Sequence, residues 1–168
     1  MNIAVRVEPA VAAPSADVEY RWDPDTDILT ANLADAVRGE GMSGSVGVEG
    51  SDGSWLIFDV AAGRINGIEV AVWPAVRKRS TLAPPAQVVD AHVSVPARRS
   101  QPDVASLEVD TALTAEADGA ERVFHFHFGK PRATRAVRIA RDLLLDIDSR
   151  DRIAGVWFLN VPPFPTEQ

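Results

Sequence analysis

The 168-residue chain contains no cysteine, a single tyrosine and two methionines, and aromatic residues make up only 7% of it. The absence of cysteine excludes disulfide bonds, thiolate metal sites and cysteine nucleophiles. No apolar run approaches the roughly 20 residues that a membrane-spanning helix needs, so we expect no membrane association. The start of the sequence also lacks a basic region followed by an apolar stretch, the pattern of a signal peptide, and we therefore expect a cytoplasmic location.

Positive charge is scarce, with 17 Lys and Arg against 24 Asp and Glu and a formal net charge of -7. Nucleic-acid binding is disfavoured, because such binding depends on neutralising phosphates. The basic stretch 130–141 is the exception, since it carries five positive charges and no negative charge. We interpret this stretch as a solvated face that pairs with neighbouring acidic residues, and a nucleic-acid-linked surface is the alternative.

An internal repeat organises the chain, because three segments of the first half recur in the same order in the second half. They are RINGI at 64–68 with RIAGV at 152–156, LIFDV at 56–60 with LLLDI at 143–147, and ILTANL at 28–33 with VFHFHF at 123–128. The matches predict two similar halves, 1–84 and 85–168, that form either two small repeats or one compact domain.

Alternation of apolar and polar residues is the main local pattern, and it is typical of β-strands with one buried face. Phe124, Phe126 and Phe128 share one face of such a strand, and His125 and His127 share the other. The predicted fold is therefore mainly β. Each half is expected to be an antiparallel β-meander of about five strands, and a pseudo-two-fold axis is expected to relate the halves.

Residues 131–144 are open to two interpretations. Their apolar residues follow Pro131 at helical spacing, which predicts an amphipathic helix and an α+β fold. Alternatively, Val137 and Ile139 correspond to Val46 and Val48 of the first half, which predicts a strand. We favour the strand, because the repeat supplies a second template for it.

Two residue types recur at corresponding strand positions. Gly67 and Gly155 lie inside predicted strands, where glycine marks a bulge or the close approach of another backbone. Asp59 and Asp146 end apolar strands, and we expect their carboxylates to bind the amides of the turns that follow. Both pairs are interpreted as structural.

His125 and His127 are the candidate metal ligands, because alternate residues of a strand point the same way. A zinc site needs at least a third protein ligand. The candidates for that ligand are His92, Asp142 and Asp146. The corresponding residues of the first half are Thr30 and Asn32, so an ordinary polar sheet face without a metal is the favoured interpretation.

Signatures of catalysis and cofactor binding are missing from the sequence. It contains no G-x-S-x-G nucleophile elbow and no P-loop. We therefore assign no catalytic residue and no cofactor, and an enzyme is disfavoured.

The motifs DPDTD at 23–27, LAD at 33–35 and RINGIE at 64–69 resemble the small bacterial family known as domain of unknown function 2283. The second half matches only in its closing block, where Trp157 stands in place of the glutamate at Glu69. The resemblance implies a compact β-domain and brings no established activity or catalytic residues. Because some members accompany toxin-like proteins, it also implies a protein partner.

Together these observations predict a non-enzymatic protein-interaction module. A second copy of the chain is one candidate partner, which would make the protein a homo-oligomer. The alternative is a small-molecule or metal-binding protein, or an enzyme, that uses the polar sheet face near His125 and His127. Trp157 and Leu159 are the candidate interface residues, because their strand is apolar on both faces. We expect this face to be covered, by the first half rather than by another chain.

Overall fold

The structure is a computed structural model that describes residues 3–12, 17–33, 43–96 and 104–165. Over these residues the chain forms fourteen β-strands and no helix, which confirms the mainly-β prediction. The described residues thus include no helix of the length and apolar character needed to cross a membrane. The strands are β1 (Arg6–Pro9), β2 (Val18–Trp22), β3 (Leu29–Leu33), β4 (Ser43–Gly50), β5 (Trp55–Ala61), β6 (Arg64–Val72), β7 (Val76–Lys78), β8 (Val88–Ser94), β9 (Val104–Thr111), β10 (Leu113–Ala117), β11 (Phe124–Phe128), β12 (Thr134–Ala140), β13 (Leu143–Asp148) and β14 (Ile153–Phe158).

All fourteen strands belong to one mixed sheet. Its main path runs β7-β10-β11-β14-β13-β12-β8-β6-β5-β4-β9, with β1 paired to β8, and with β3 joining β2 to β6. Only Ala112 separates β9, at one end of this path, from β10, near the other end. The chain therefore links the two ends of the path directly, and the sheet curls around a shared core.

The two predicted halves contain corresponding strand orders. The first contains the antiparallel order β2-β3-β6-β5-β4, and the second contains β10-β11-β14-β13-β12. These orders differ from the simple meander that we predicted, because β6 and not β4 lies beside β3. The pseudo-two-fold relation itself stays a prediction.

Strands from the two halves also pair with one another. β4 pairs with β9 and β10 pairs with β7, both in parallel, and β1 pairs with β8 in the antiparallel direction. Because strands on both sides of residue 84 share one sheet, their backbone hydrogen bonds cross the predicted boundary. The division into 1–84 and 85–168 stays a prediction.

The register of the central strands corresponds in the two halves as well. Asp59 of β5 lies opposite Gly67 of β6, and Asp146 of β13 lies opposite Gly155 of β14. In each pair of strands the register shifts directly after the aspartate, as in a β-bulge. Each glycine is thus found beside a bulge, one of the two roles expected for it.

The segment 131–144 contains β12 and the start of β13, so the helical interpretation is wrong and the strand interpretation is confirmed. Val137 lies opposite Leu145 in the β12–β13 pair, just as Val46 lies opposite Phe58 in the β4–β5 pair. Both valines are buried. Cross-strand packing against β13 therefore outweighs the helical spacing of the apolar residues.

Local turn chemistry fixes the hairpin between β5 and β6. Ala62 and Gly63 connect Ala61 to Arg64, with φ angles of 47° and 79°. Two consecutive residues with positive φ are typical of a type I′ turn, whose twist matches that of the flanking strands. The short turn sets the register that brings Asp59 opposite Gly67.

The first half covers the inner face of the second half through β2. The Tyr20 hydroxyl donates to the Asp142 carbonyl at 2.6 Å and accepts from the Leu159 amide at 3.2 Å. Its ring packs edge-on against Phe158, with centroids 5.7 Å apart. Burial raises the pKa of Tyr20 well above its usual value, although the bond from the Leu159 amide opposes this effect. The hydroxyl therefore stays protonated and able to donate.

Candidate functional site

The two faces of β11 differ sharply in polarity. Phe124, Phe126 and Phe128 are buried in the core, and His125 and His127 are partly exposed on the opposite, outer face. This outer face continues onto the neighbouring strands, because side chains at paired positions point the same way. His125 and His127 thus share a polar surface with Glu116 and Thr114, which lie opposite them on β10.

His125 is held by two contacts on this outer face. Its Nε2 atom lies 2.7 Å from Oδ2 of Asp146. Its ring also stacks on the indole of Trp157, with centroids 3.9 Å apart and planes 9° from parallel. The Trp157 Nε1 donates to the other oxygen of Asp146 at 3.2 Å. One carboxylate therefore fixes both rings of the stack.

The partners of the two histidines determine their tautomers. The carboxylate of Asp146 accepts, so the hydrogen of neutral His125 is on Nε2. The Nε2 of His127 lies 3.2 Å from the carbonyl oxygen of Lys130, which can only accept, so its hydrogen is likewise on Nε2. Each neutral ring is left with a lone pair on Nδ1.

Gly155 allows Asp146 to reach His125. Asp146 is on β13 and His125 is on β11, and the intervening β14 places Gly155 directly opposite Asp146. A Cβ atom at this position would lie 2.8 Å from Oδ2 of Asp146 and 2.4 Å from the carbonyl oxygen of Phe126. The missing side chain therefore provides the space in which the carboxylate crosses the strand, a close approach of the kind expected for this glycine.

The turn role expected for Asp146 belongs instead to Asp148. Oδ1 of Asp148 accepts from the backbone amides of Arg150 and Arg152, at 2.9 Å and 3.0 Å. Asp146 binds side chains of neighbouring strands, since its side chain points across the sheet and not along the turn. The expectation that both Asp59 and Asp146 bind turn amides is wrong for Asp146.

The histidines line a cleft of about 420 Å³ on the outer face. Thr114 and Thr134 line its wall, and Arg79, which directly follows β7 of the first half, borders it. The side chain of His125 is 21% exposed, so solvent in the cleft reaches its ring. The stack with Trp157 forms part of the cleft wall, and Trp157 itself is only 6% exposed.

The two arginines of the cleft each form an ion pair. Arg79 binds Glu116 with an Nη1–Oε2 distance of 2.9 Å. Arg132 binds Asp148 with an Nε–Oδ2 distance of 3.0 Å. Among the described residues, the Nδ1 atoms of the two histidines and the hydroxyls of the two threonines have no charged partner.

The sequence suggests a metal site at His125 and His127 with a third ligand. Among the described residues, no three His, Asp or Glu side chains form a group that could hold a metal ion. The rings of His125 and His127 are 6.5 Å apart, and their Nε2 atoms are occupied. Of the predicted third ligands, only Asp146 contacts a histidine of the pair. His92 lies opposite Glu8 in the β1–β8 pair, and Asp142 accepts from Asn160 at 2.8 Å.

The four arginines of the basic stretch each form an ion pair. The pairs are Arg132–Asp148, Arg135–Asp151, Arg138–Asp90 and Arg141–Asp17, with N–O distances of 2.9 to 3.5 Å. Most of the positive charge of this stretch is therefore compensated within the chain. Its predicted pairing with acidic neighbours is observed for all four.

The candidate interface residues occupy different environments. Trp157 is buried under the ring of His125, which belongs to the same half. Leu159 is half-buried, and its amide contacts the Tyr20 hydroxyl of the first half. The role of Trp157 and Leu159 in an interface stays a prediction.

No protein-family model matches the chain, and a search of curated proteins finds no similar sequence. The resemblance of the first half to domain of unknown function 2283 therefore stays a prediction.

Proposed function

We propose that the protein binds a small neutral molecule bearing hydroxyl groups in the cleft around His125. The observation that carries this proposal is the fixed orientation of His125, clamped between the Asp146 carboxylate and the face of Trp157. Polar groups that are held in place beforehand bind a ligand at a lower entropic cost than mobile ones. This function corresponds to the small-molecule alternative predicted from the sequence.

The chemistry of the cleft supports a neutral ligand. Its two arginines already pair with carboxylates, and Asp146 is held by His125 and Trp157, so an anionic ligand would have to compete with Glu116 for Arg79. The remaining groups are the Nδ1 lone pairs of His125 and His127, which accept, and threonine hydroxyls, which both donate and accept. A hydroxyl-rich molecule complements this set, because each hydroxyl can donate to a ring nitrogen and accept from a threonine.

Isothermal titration calorimetry with three neutral polyols, myo-inositol, glucose and ribose, tests this proposal. Gluconate serves as the charged counterpart of glucose. We expect at least one neutral polyol to bind, and gluconate to bind more weakly than glucose. A protein that binds none of the three at millimolar concentration, or that prefers gluconate, would contradict the proposal.

His125→Ala and His92→Ala are the matched variants for this experiment. His125→Ala removes the clamped ring and should weaken polyol binding roughly tenfold, the typical effect of losing one buried polar contact. His92 is exposed on β8, outside the cleft lining, and its substitution should leave binding unchanged. Equal affinities of the two variants would show that any polyol binds elsewhere.

A protein-interaction module is the second candidate function, and an exposed apolar pair favours it. Trp55 and Val72 lie opposite each other on β5 and β6 and are 41% and 48% exposed. Adjacent exposed apolar side chains are typical of protein interfaces. Affinity capture with the wild-type chain and with Trp55→Glu, compared by mass spectrometry, tests this candidate through the loss of specific partners. The toxin-like partner and the cytoplasmic location stay predictions.

A further inference from the structure

A second cavity, of about 630 Å³, shares Pro131 and Arg132 with the lining of the His125 cleft. Its apolar lining includes Ile3, Val48, Phe128 and Ile153, and all four are buried core residues. Its volume is within the range of about 300–1,000 Å³ that is usual for small-molecule sites. The cavity therefore offers a ligand an apolar wall that belongs to the core of the protein.

Two arginines are fixed at this cavity by one buried carboxylate. Oδ2 of Asp148 accepts from the Nε atoms of Arg132 and Arg152, each at 3.0 Å, and the Asp148 side chain is only 2% exposed. Burial alone would raise the pKa of Asp148, but bonds from the Arg152 and Arg150 amides and from the two guanidinium groups lower it below its usual value. Asp148 therefore stays ionised and holds both arginines in place.

Positive charge is in excess beside the apolar wall. Arg132, Arg152 and Lys130 all line the cavity, whereas Asp148 is the only carboxylate that pairs with any of them among the described residues. The terminal nitrogens of Arg152 and the Nζ of Lys130 have no partner in this part of the chain. This local surplus is notable in a protein with a net charge of -7.

We propose that this cavity binds an amphiphilic anion, a molecule with a carboxylate or phosphate head and an apolar tail. The free terminal nitrogens of Arg152 match the two oxygens of such a head group, and guanidinium groups bind carboxylates and phosphates in this bidentate manner. The tail would lie against the apolar lining and would be removed from water. The proposal uses a different cavity from the polyol proposal and does not depend on it.

Calorimetric titration with decanoate, decyl phosphate, 1-decanol and acetate tests the two parts of the ligand separately. Decanoate or decyl phosphate should bind at least tenfold more tightly than 1-decanol, which has the tail without the charge. Acetate, which has the charge without the tail, should bind more weakly than decanoate. The tighter of the two anions identifies the head group as a carboxylate or a phosphate, and either result supports the proposal.

Variants of three neighbouring cations identify the site. Arg152→Gln should weaken binding of the tighter anion roughly tenfold, as expected for losing a hydrogen bond to a charged group. Arg150→Gln is the matched control, because Arg150 is exposed in the same turn and does not line the cavity. Lys130→Gln provides a second test that does not disturb Asp148, since the exposed Lys130 makes no ion pair with a described residue.

Three outcomes would overturn the proposal. They are an affinity for the tighter decyl anion no greater than that for 1-decanol, anion binding that neither Arg152→Gln nor Lys130→Gln weakens, and no binding of either decyl anion at millimolar concentration. His125→Ala should leave decanoate binding unchanged. Failure of the polyol experiment and failure of this one can therefore be told apart.

Discussion

Nε2 of His125 lies 2.7 Å from Oδ2 of Asp146 although β14 separates their strands. A contact of this kind requires an opening in the intervening strand, and Gly155 provides it. The same carboxylate binds the indole of Trp157, so one buried acidic group orients a stack of two aromatic rings. The outer face of the second half thereby gains a fixed imidazole.

Substituting Asp146 by asparagine should destabilise the protein. The amide cannot serve as a charged acceptor for both His125 and Trp157, and we expect the free energy of unfolding to fall by roughly 2–3 kcal/mol. Urea denaturation measures this change. Asp59→Asn is the matched control, because Asp59 has the same register opposite Gly67 but is exposed. Its cost should stay within about 0.5 kcal/mol, and equal costs for the two variants would argue against the bridging role of Asp146.

Adding a methyl group at Gly155 should be more damaging than adding one at Gly67. At Gly155 the new Cβ would lie 2.4 Å from the Phe126 carbonyl, whereas at Gly67 its nearest neighbours are 3.3 Å away. We expect Gly155→Ala to lower the free energy of unfolding by roughly 3 kcal/mol, and Gly67→Ala to lower it by about 1 kcal/mol or less. Thermal unfolding of both variants compares them directly. A smaller fall in melting temperature for Gly155→Ala than for Gly67→Ala would contradict the role of Gly155 as an opening in β14.

Much of the fold was predictable because it follows from patterns that are local or repeated. Alternation over 124–128 correctly separated core phenylalanines from surface histidines. The repeat resolved 131–144 as a strand, since Val137 could be matched to Val46. The placement of β6 beside β3 was missed, because local alternation does not specify which strands become neighbours.

The candidate site was only partly predictable. His125 and His127 stood out as a polar pair, but the sequence did not show that Asp146 would cross β14 to reach one of them. One signal was available: Asp146 interrupts an otherwise apolar strand, and a carboxylate at a buried position needs polar partners. The identity of those partners depends on a register between strands, which a single sequence does not specify.

Stability in acid should depend on Asp148. Hydrogen bonds lower the pKa of Asp148 in the folded state. The stability that Asp148 contributes is therefore present above its unfolded-state pKa of about 3.9, and it is lost as the pH falls through the lower folded-state pKa. Asp148→Asn should therefore cost roughly 3 kcal/mol at neutral pH and less in acid. Urea denaturation over a pH series measures both effects. The control is Asp151→Asn, which changes an exposed residue of the same turn. If Asp148→Asn leaves the pH dependence of the unfolding free energy unaltered, the prediction is wrong.

Trp157→Glu should lower stability without changing the mass of the protein in solution. Trp157 is already covered within the chain by His125, and introducing a charge there should cost roughly 3 kcal/mol or more. Thermal unfolding and light scattering measure the two quantities. Trp55→Glu, at an exposed tryptophan, should cost about 1 kcal/mol or less. Conversion of an oligomer to a folded monomer by Trp157→Glu would instead place this residue in an interface between chains.

The orientation of His125 can be measured by long-range proton–nitrogen correlation NMR of the histidine rings under mildly alkaline conditions. The chain has three histidines, and the exposed His92 serves as an internal reference. We predict that His125 is a single Nε2–H tautomer, that Asp146→Asn disturbs this state, and that a bound polyol shifts its Nδ1 resonance. A wild-type His125 with its hydrogen on Nδ1, or one that exchanges between tautomers as a free histidine does, would contradict the fixed imidazole on which the proposed binding depends.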